Sequence, residues 1–98
     1  MRGFQTIDFV RWLHSLRDIR GRTRILVRVD RLLHGAPGDV RHVEAGVFEL
    51  RIDFGPGYRV YYTLKGSDLV IFLCGGDKST QRRDIAKALN LRRSFLDA

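Results

Sequence analysis

Two strand-like segments, "VFELRIDF" (residues 47–54) and "YRVYYTL" (residues 58–64), carry Glu49, Arg51, Arg59 and Tyr61 at alternating positions. Alternate side chains of a strand share a face, so these four project together if the intervening "GPG" turn sets a simple register. Cross-strand neighbours lie about 5 Å apart, close enough for two arginines to grip one phosphate. Lys78 lies in "CGGDKSTQRRDI", just after the next strand, and would border the same face. Such residue types can bind a phosphodiester and stabilise charge developing on it. The plain alternative is a solvent-facing Glu49–Arg51 pair of little energetic consequence, with tyrosines that simply pack.

The Gly-Gly-Asp-Lys-Ser-Thr run also raises the question of a nucleotide-binding loop. Such a loop needs G-x-x-x-x-G-K-[ST], because its backbone N–H groups wrap the phosphates while the lysine reaches across them. Here Asp77 replaces the glycine before Lys78, and Phe72 occupies the earlier glycine position. An acid beside phosphate repels it, and hairpin-linked strands lack the parallel setting the loop requires. The glycines are expected to let the chain leave the strand, and Ser79 or Thr80 to cap a helix. No metal set is legible, since His14, His34 and His42 are scattered and the acids show no ligand spacing. No Ser–His–Asp or Cys–His arrangement is legible either.

These residues need elements to position them. Thr6 can cap a first helix, "IDFVRWLHSLRD", whose Phe9, Trp12, Leu13 and Leu16 form one apolar stripe. Gly21 is read as the break after it. "RTRILVRVDRLLHG" fits a second helix through Ile25, Leu26, Val29, Leu32 and Leu33, with Gly35 at its C-terminus. Together the two predict an antiparallel helical hairpin. From residue 40 the period becomes two: a strand over 40–44, a reversal at Gly46, the two strands above, then the apolar strand "LVIFLC". Residues before Thr6 are a further short-strand candidate. A last helix, "QRRDIAKALNLRRSFL", would turn Ile85, Leu89 and Leu91 inward.

Ninety-eight residues at 44% hydrophobic and 30% charged fit one globular domain over residues 1–98. The formal net charge of +7, dominated by arginine, points to polyanionic partners. A solvated basic surface is the bland counterpart. The run Leu69 to Cys74 is too short to cross a bilayer, and "MRGFQTID" lacks a signal-peptide apolar region. Together with the lone Cys74, read as a buried small hydrophobe, this suits a cytoplasmic protein with no membrane partner.

As a set, "GVFELRIDFGPGYRVYYTL" and "FLCGGDKSTQRRDIAKA" resemble the RelE/ParE superfamily of bacterial toxins, with the HigB-like addiction-module killer branch most similar. "WLHSLRD" and "GDVRHV" also fall where that pattern places them, so the likeness spans the chain. The resemblance implies an α+β fold, with an N-terminal helical hairpin on a twisted antiparallel sheet of three to four strands and a C-terminal helix. It further implies a toxin of a type II toxin–antitoxin system in the bacterial cytoplasm, paired with a cognate antitoxin. In many members the activity is cleavage of mRNA on the ribosome, whereas the ParE branch inhibits DNA gyrase.

Carried over by position, the implied catalytic residues are Arg51, Arg59, Tyr61 and Lys78. Glu49, Lys65, Arg82 and Arg83 are further candidates for RNA contact. No metal or small-molecule cofactor is implied. The strand matching RelE's lysine-rich one carries Arg51 and no lysine, and no tyrosine lies near the C-terminal helix. RNA cleavage needs the 2′-hydroxyl deprotonated, the phosphorane stabilised and the 5′-oxygen protonated. Arg51 and Arg59 would hold the non-bridging oxygens, with Lys78, or Glu49 as a weaker rival, moving protons and Tyr61 orienting a base or acting as an acid. A gyrase inhibitor and a non-enzymatic nucleic-acid-binding module are the alternatives.

Overall fold

In chain order, the computed structural model gives β1 (Arg2–Gln5), α1 (Ile7–Ser15), α2 (Ile19–Leu33), β2 (Val40–Glu44), β3 (Val47–Ile52), β4 (Tyr58–Lys65), β5 (Leu69–Asp77) and α3 (Gln81–Leu96). The described residues are 1–96. The strands form one sheet in the order β1-β5-β4-β3-β2. β2 to β5 run antiparallel in sequence, as the alternating pattern predicts, while β1 pairs parallel with β5. The sheet is therefore mixed and five-stranded, a correction to the three or four antiparallel strands expected. All four residues of β1 are exposed, so no buried period marked the strand.

Both predicted N-terminal helices are present, but α1 packs mainly on β5 and α2 on β3 and β4, rather than chiefly on one another. The expected hairpin is better described as two helices laid side by side on the sheet. Thr6 caps α1 as anticipated, accepting from the Phe9 N–H at 3.1 Å while its hydroxyl donates to the Leu73 carbonyl at 2.6 Å. Gly21 does not break the pattern. It lies in the first turn of α2, whose cap is Asp18, and a Cβ there would press into Asp18 and the Tyr58 ring at 2.5 Å. Gly35, at φ +86°, ends α2: its N–H reaches the Leu32 carbonyl and the Ala36 N–H reaches that of Arg31.

Two cores result. Phe9, Leu13, Ile25, Val29, Leu50, Ile52, Val60, Tyr62 and Phe72 pack beneath α1 and α2. Val47, Tyr61, Ile71, Leu73, Cys74 and Ala88 pack beneath α3, on the opposite face. Strand alternation explains this division for β3 and β4. In β5 a register shift against Tyr61 and Tyr62 leaves Leu73 as an extra residue, which puts both Leu73 and Cys74 on the α3 side. Leu26, expected inward, is exposed at 45%.

Candidate functional site

Strand register brings the first basic pair together: Arg51 of β3 stands directly opposite Arg59 of β4, and Glu49 opposite Tyr61. The turn between them allows this because Gly55 and Gly57 take φ of +57° and +81°, and the Gly57 N–H bonds the Phe54 carbonyl. Like charges directly opposite are unfavourable, and each arginine has its own carboxylate. Arg51 donates to Asp39 Oδ1 through Nε at 3.1 Å and Nη2 at 2.7 Å. Arg59 Nε lies 3.7 Å from Glu49 Oε2. Hydrogen bonding to Asp39, and then the Asp39 charge, raise the Arg51 pKa above its usual value.

Lys78 completes the set from a third segment. It opens a single 3₁₀ turn, Lys78–Thr80, between β5 and α3, and is exposed. A Cβ on Gly57 would lie 3.5 Å from Lys78 Cβ, so the lysine stands against the hairpin turn. Arg51, Arg59 and Lys78 line one open cleft of about 380 Å³, together with Asp39, Ile52, Asp53 and Gly57. Asp77, the acid that spoils the nucleotide-loop pattern, is turned to another task. Its Oδ1 accepts the Ser79 N–H at 2.8 Å, and it forms a reciprocal cap with Thr80. Asp77 thus caps the 3₁₀ turn that leads into α3, with Thr80 as its reciprocal partner.

The paired glycines also differ from expectation, since β5 continues through both. A Cβ on Gly75 would collide with the Trp12 ring, and one on Gly76 with the Asp84 carboxylate. They allow helices on both faces to approach the strand. That is their structural reason.

The other residues singled out are dispersed. Glu49 and Tyr61 are both 0% exposed beneath α3, so neither can touch RNA as placed, a correction to the roles expected of them. Strand alternation marked their face as polar but not that a helix covers it. Glu49 Oε2 accepts from Gln81 Nε2 at 2.8 Å, and its Oε1 lies 3.4 Å from Arg41 Nη2. Burial raises the Tyr61 pKa strongly, with the Glu49 charge adding to it. Neither the Tyr61 hydroxyl nor Arg59 Nε has a hydrogen-bond partner among the described residues. Lys65 sits at the far end of β4, six residues from Arg59 and about 20 Å along the strand. Arg82 and Arg83 are exposed on the first turn of α3, outside the cleft lining.

Sequence reasoning missed Asp39, Asp53 and Arg28. Extending the Val40↔Leu50 pairing by one residue would have found Asp39 opposite Arg51. Arg28 gave no local signal: from α2 it donates to the Arg51 carbonyl at 2.7 Å and the Pro37 carbonyl at 2.9 Å, holding the Asp39 loop against β3. Among the described residues no three His, Cys, Asp or Glu side chains are grouped as metal ligands would be. No described helix is long and apolar enough to cross a membrane.

Comparison with known proteins gives this arrangement its setting. A protein of Haemophilus influenzae, described only as uncharacterized, is 51% identical over 83 residues, which is 85% of this chain and 84% of that protein. The family model "Phage derived protein Gp49-like (DUF891)" matches residues 11–93, a span that holds Arg51, Arg59 and Lys78. That family is toxin-like, related to RelE and associated with toxin–antitoxin modules, a coarser placement than the HigB-like branch the motifs suggested. The chain belongs to the Gp49-like family of phage-derived proteins.

Proposed function

We propose that the chain is the toxin of a toxin–antitoxin pair, of the HigB-like kind, and that it cleaves mRNA on the ribosome. The observation that carries this reading is the meeting of Arg51, Arg59 and Lys78, from three separate segments, on one open cleft. Three cations gathered around an open space suit a phosphodiester better than a neutral ligand.

In the reaction proposed, the 2′-oxygen of the RNA bonds to phosphorus, the bond from phosphorus to the 5′-oxygen breaks, and a cyclic phosphate remains. Asp39 occupies the Nε and Nη2 of Arg51, which orients the guanidinium and leaves Nη1 without a partner among the described residues. Glu49, held by Gln81, sets the position of Arg59 from below. The two guanidiniums then stabilise the phosphorane charge. The Lys78 ammonium protonates the departing 5′-oxygen, and the carboxylates on the cleft rim, Asp39 and Asp53, are the acceptors for the 2′-hydroxyl proton. An antitoxin covering this basic cleft would block the reaction.

Induced expression of wild type and Arg59→Ala in bacteria, with mapping of mRNA ends, tests the proposal. Wild type should arrest growth and create new ends within coding regions, and Arg59→Ala should do neither. Growth arrest with intact transcripts and DNA damage would instead indicate gyrase inhibition.

A further inference from the structure

The cleft does not end at Asp53. Ile52 and Asp53 also line a second depression of about 440 Å³ between the hairpin turn and α2, bordered by Arg24, Arg28 and Arg31. Thr23, Arg24 and Phe54 carry it on into a third, beside Arg20. The three depressions thus adjoin one another around the end of β3, from Lys78 to the N-terminal end of α2. Arg20, Arg24 and Arg31 lie along its helical wall, and none is in an ion pair among the described residues. From Arg20 to Arg31 the helix rises about 16 Å. The Arg24 guanidinium lies over the Phe54 ring at 4.8 Å from its centroid. A guanidinium held this way offers a flat cationic surface on which an unpaired base can stack.

We propose that the α2 groove is a second subsite for RNA, binding the single-stranded segment that flanks the phosphodiester in the cleft. The proposal rests on the ribonuclease reading of the cleft, which it deepens. Adjacency to the cleft through Ile52 and Asp53, and free arginines along one wall, favour a strand whose charges repeat at short intervals. Asp53, at the junction, repels phosphate, so phosphates register on either side of it. Arg28 is committed to the Arg51 and Pro37 carbonyls and serves as a brace rather than a free contact.

The test uses the full chain and fluorescently labelled 2′-O-methyl RNA, which cannot be cleaved, in lengths of three and twelve nucleotides. Binding is followed by anisotropy across salt concentrations for wild type, for Lys78→Gln, and for Arg20→Gln/Arg24→Gln/Arg31→Gln. The altered arginines of the triple variant are exposed, and glutamine is a good helix former, so α2 should persist. Losing three phosphate contacts should flatten the salt slope by about 2, so that between roughly 50 and 200 mM salt wild-type affinity for the twelve-mer falls about 20-fold more than the variant's. The trinucleotide, which fills only the cleft, should bind the triple variant as it binds wild type and lose affinity in Lys78→Gln.

Equal twelve-mer affinity and slope in wild type and triple variant would overturn the second subsite while leaving the cleft intact. The same result accompanied by lost binding of an acidic peptide would assign the groove to a protein partner. RNA binding that follows the predicted pattern, with no cleavage of mRNA on translating ribosomes, would keep the groove and remove the ribonuclease reading.

Discussion

The two faces of the sheet are covered by helices in different ways. Beneath α1 and α2 the core is apolar and aromatic, with Phe9 against Phe72 and Tyr62 stacked on Phe48. Beneath α3 the buried side chains include Glu49, Thr63, Asp84 and nearly all of Arg59. Burying such groups is costly unless they are paired, and most are. Gln81 and two arginines serve Glu49, Arg92 donates to Thr63, and Thr80 donates to Asp84. One face therefore supplies hydrophobic stabilisation of the ordinary kind. The other holds a polar network whose outer end is the cleft.

Truncation on each face separates these roles. Phe9→Ala should cost about 4 kcal/mol in urea unfolding, through lost burial and the cavity left behind. Arg59 should remain where it is in any fraction that stays folded. Glu49→Ala should cost somewhat less, about 3 kcal/mol, by leaving buried charge unpaired. Because Arg59 loses its partner, RNA affinity should fall in the folded Glu49→Ala protein as well. If Phe9→Ala weakened RNA binding by folded protein as much as Glu49→Ala does, the division between the faces would fail.

Alkaline pH gives a smaller, graded effect on each face. Burial and the hydrogen bond to Asp18 push the Tyr58 hydroxyl from 10.0 up to about 12, and burial pushes the Cys74 thiol from 9.0 to about 12. Both folded-state values lie above the unfolded ones, so the fold favours the neutral forms. The stability they contribute is complete below pH 9 and is lost as pH rises through 12. Cys74→Ala should flatten only part of that decline, measured by thermal melts between pH 8 and 12. A decline identical to wild type would show that Cys74 has no share in it.

Much of this organisation was legible in the residues. Period-two alternation located β2 to β4, a short apolar run located β5, and the GPG turn fixed the Arg51–Arg59 pairing, because strand parity and tight turns are local properties. The depth at which Glu49 and Tyr61 lie was not legible. Ile85, Leu89 and Leu91 pack against the sheet as expected, but the fully buried α3 residues are Asp84 and Ala88, and nothing in the helix pattern said which strand residues it covers. Asp39 escaped notice because it belongs to a loop placed by Arg28 from a distant helix. The roles of Gly75 and Gly76 likewise depend on Trp12 and Asp84, contacts that only the folded chain brings together.

The central claim is that the surface cleft performs the chemistry while the buried network beneath only positions it. Single-turnover cleavage of ribosome-bound mRNA by purified wild type, Lys78→Gln and Tyr61→Phe tests this most directly. Removing the proton donor should slow cleavage by about 100-fold or more, whereas Tyr61→Phe, which deletes a buried hydroxyl without a partner, should cleave at the wild-type rate. Equal rates for Lys78→Gln and wild type, or a loss confined to Tyr61→Phe, would contradict the account.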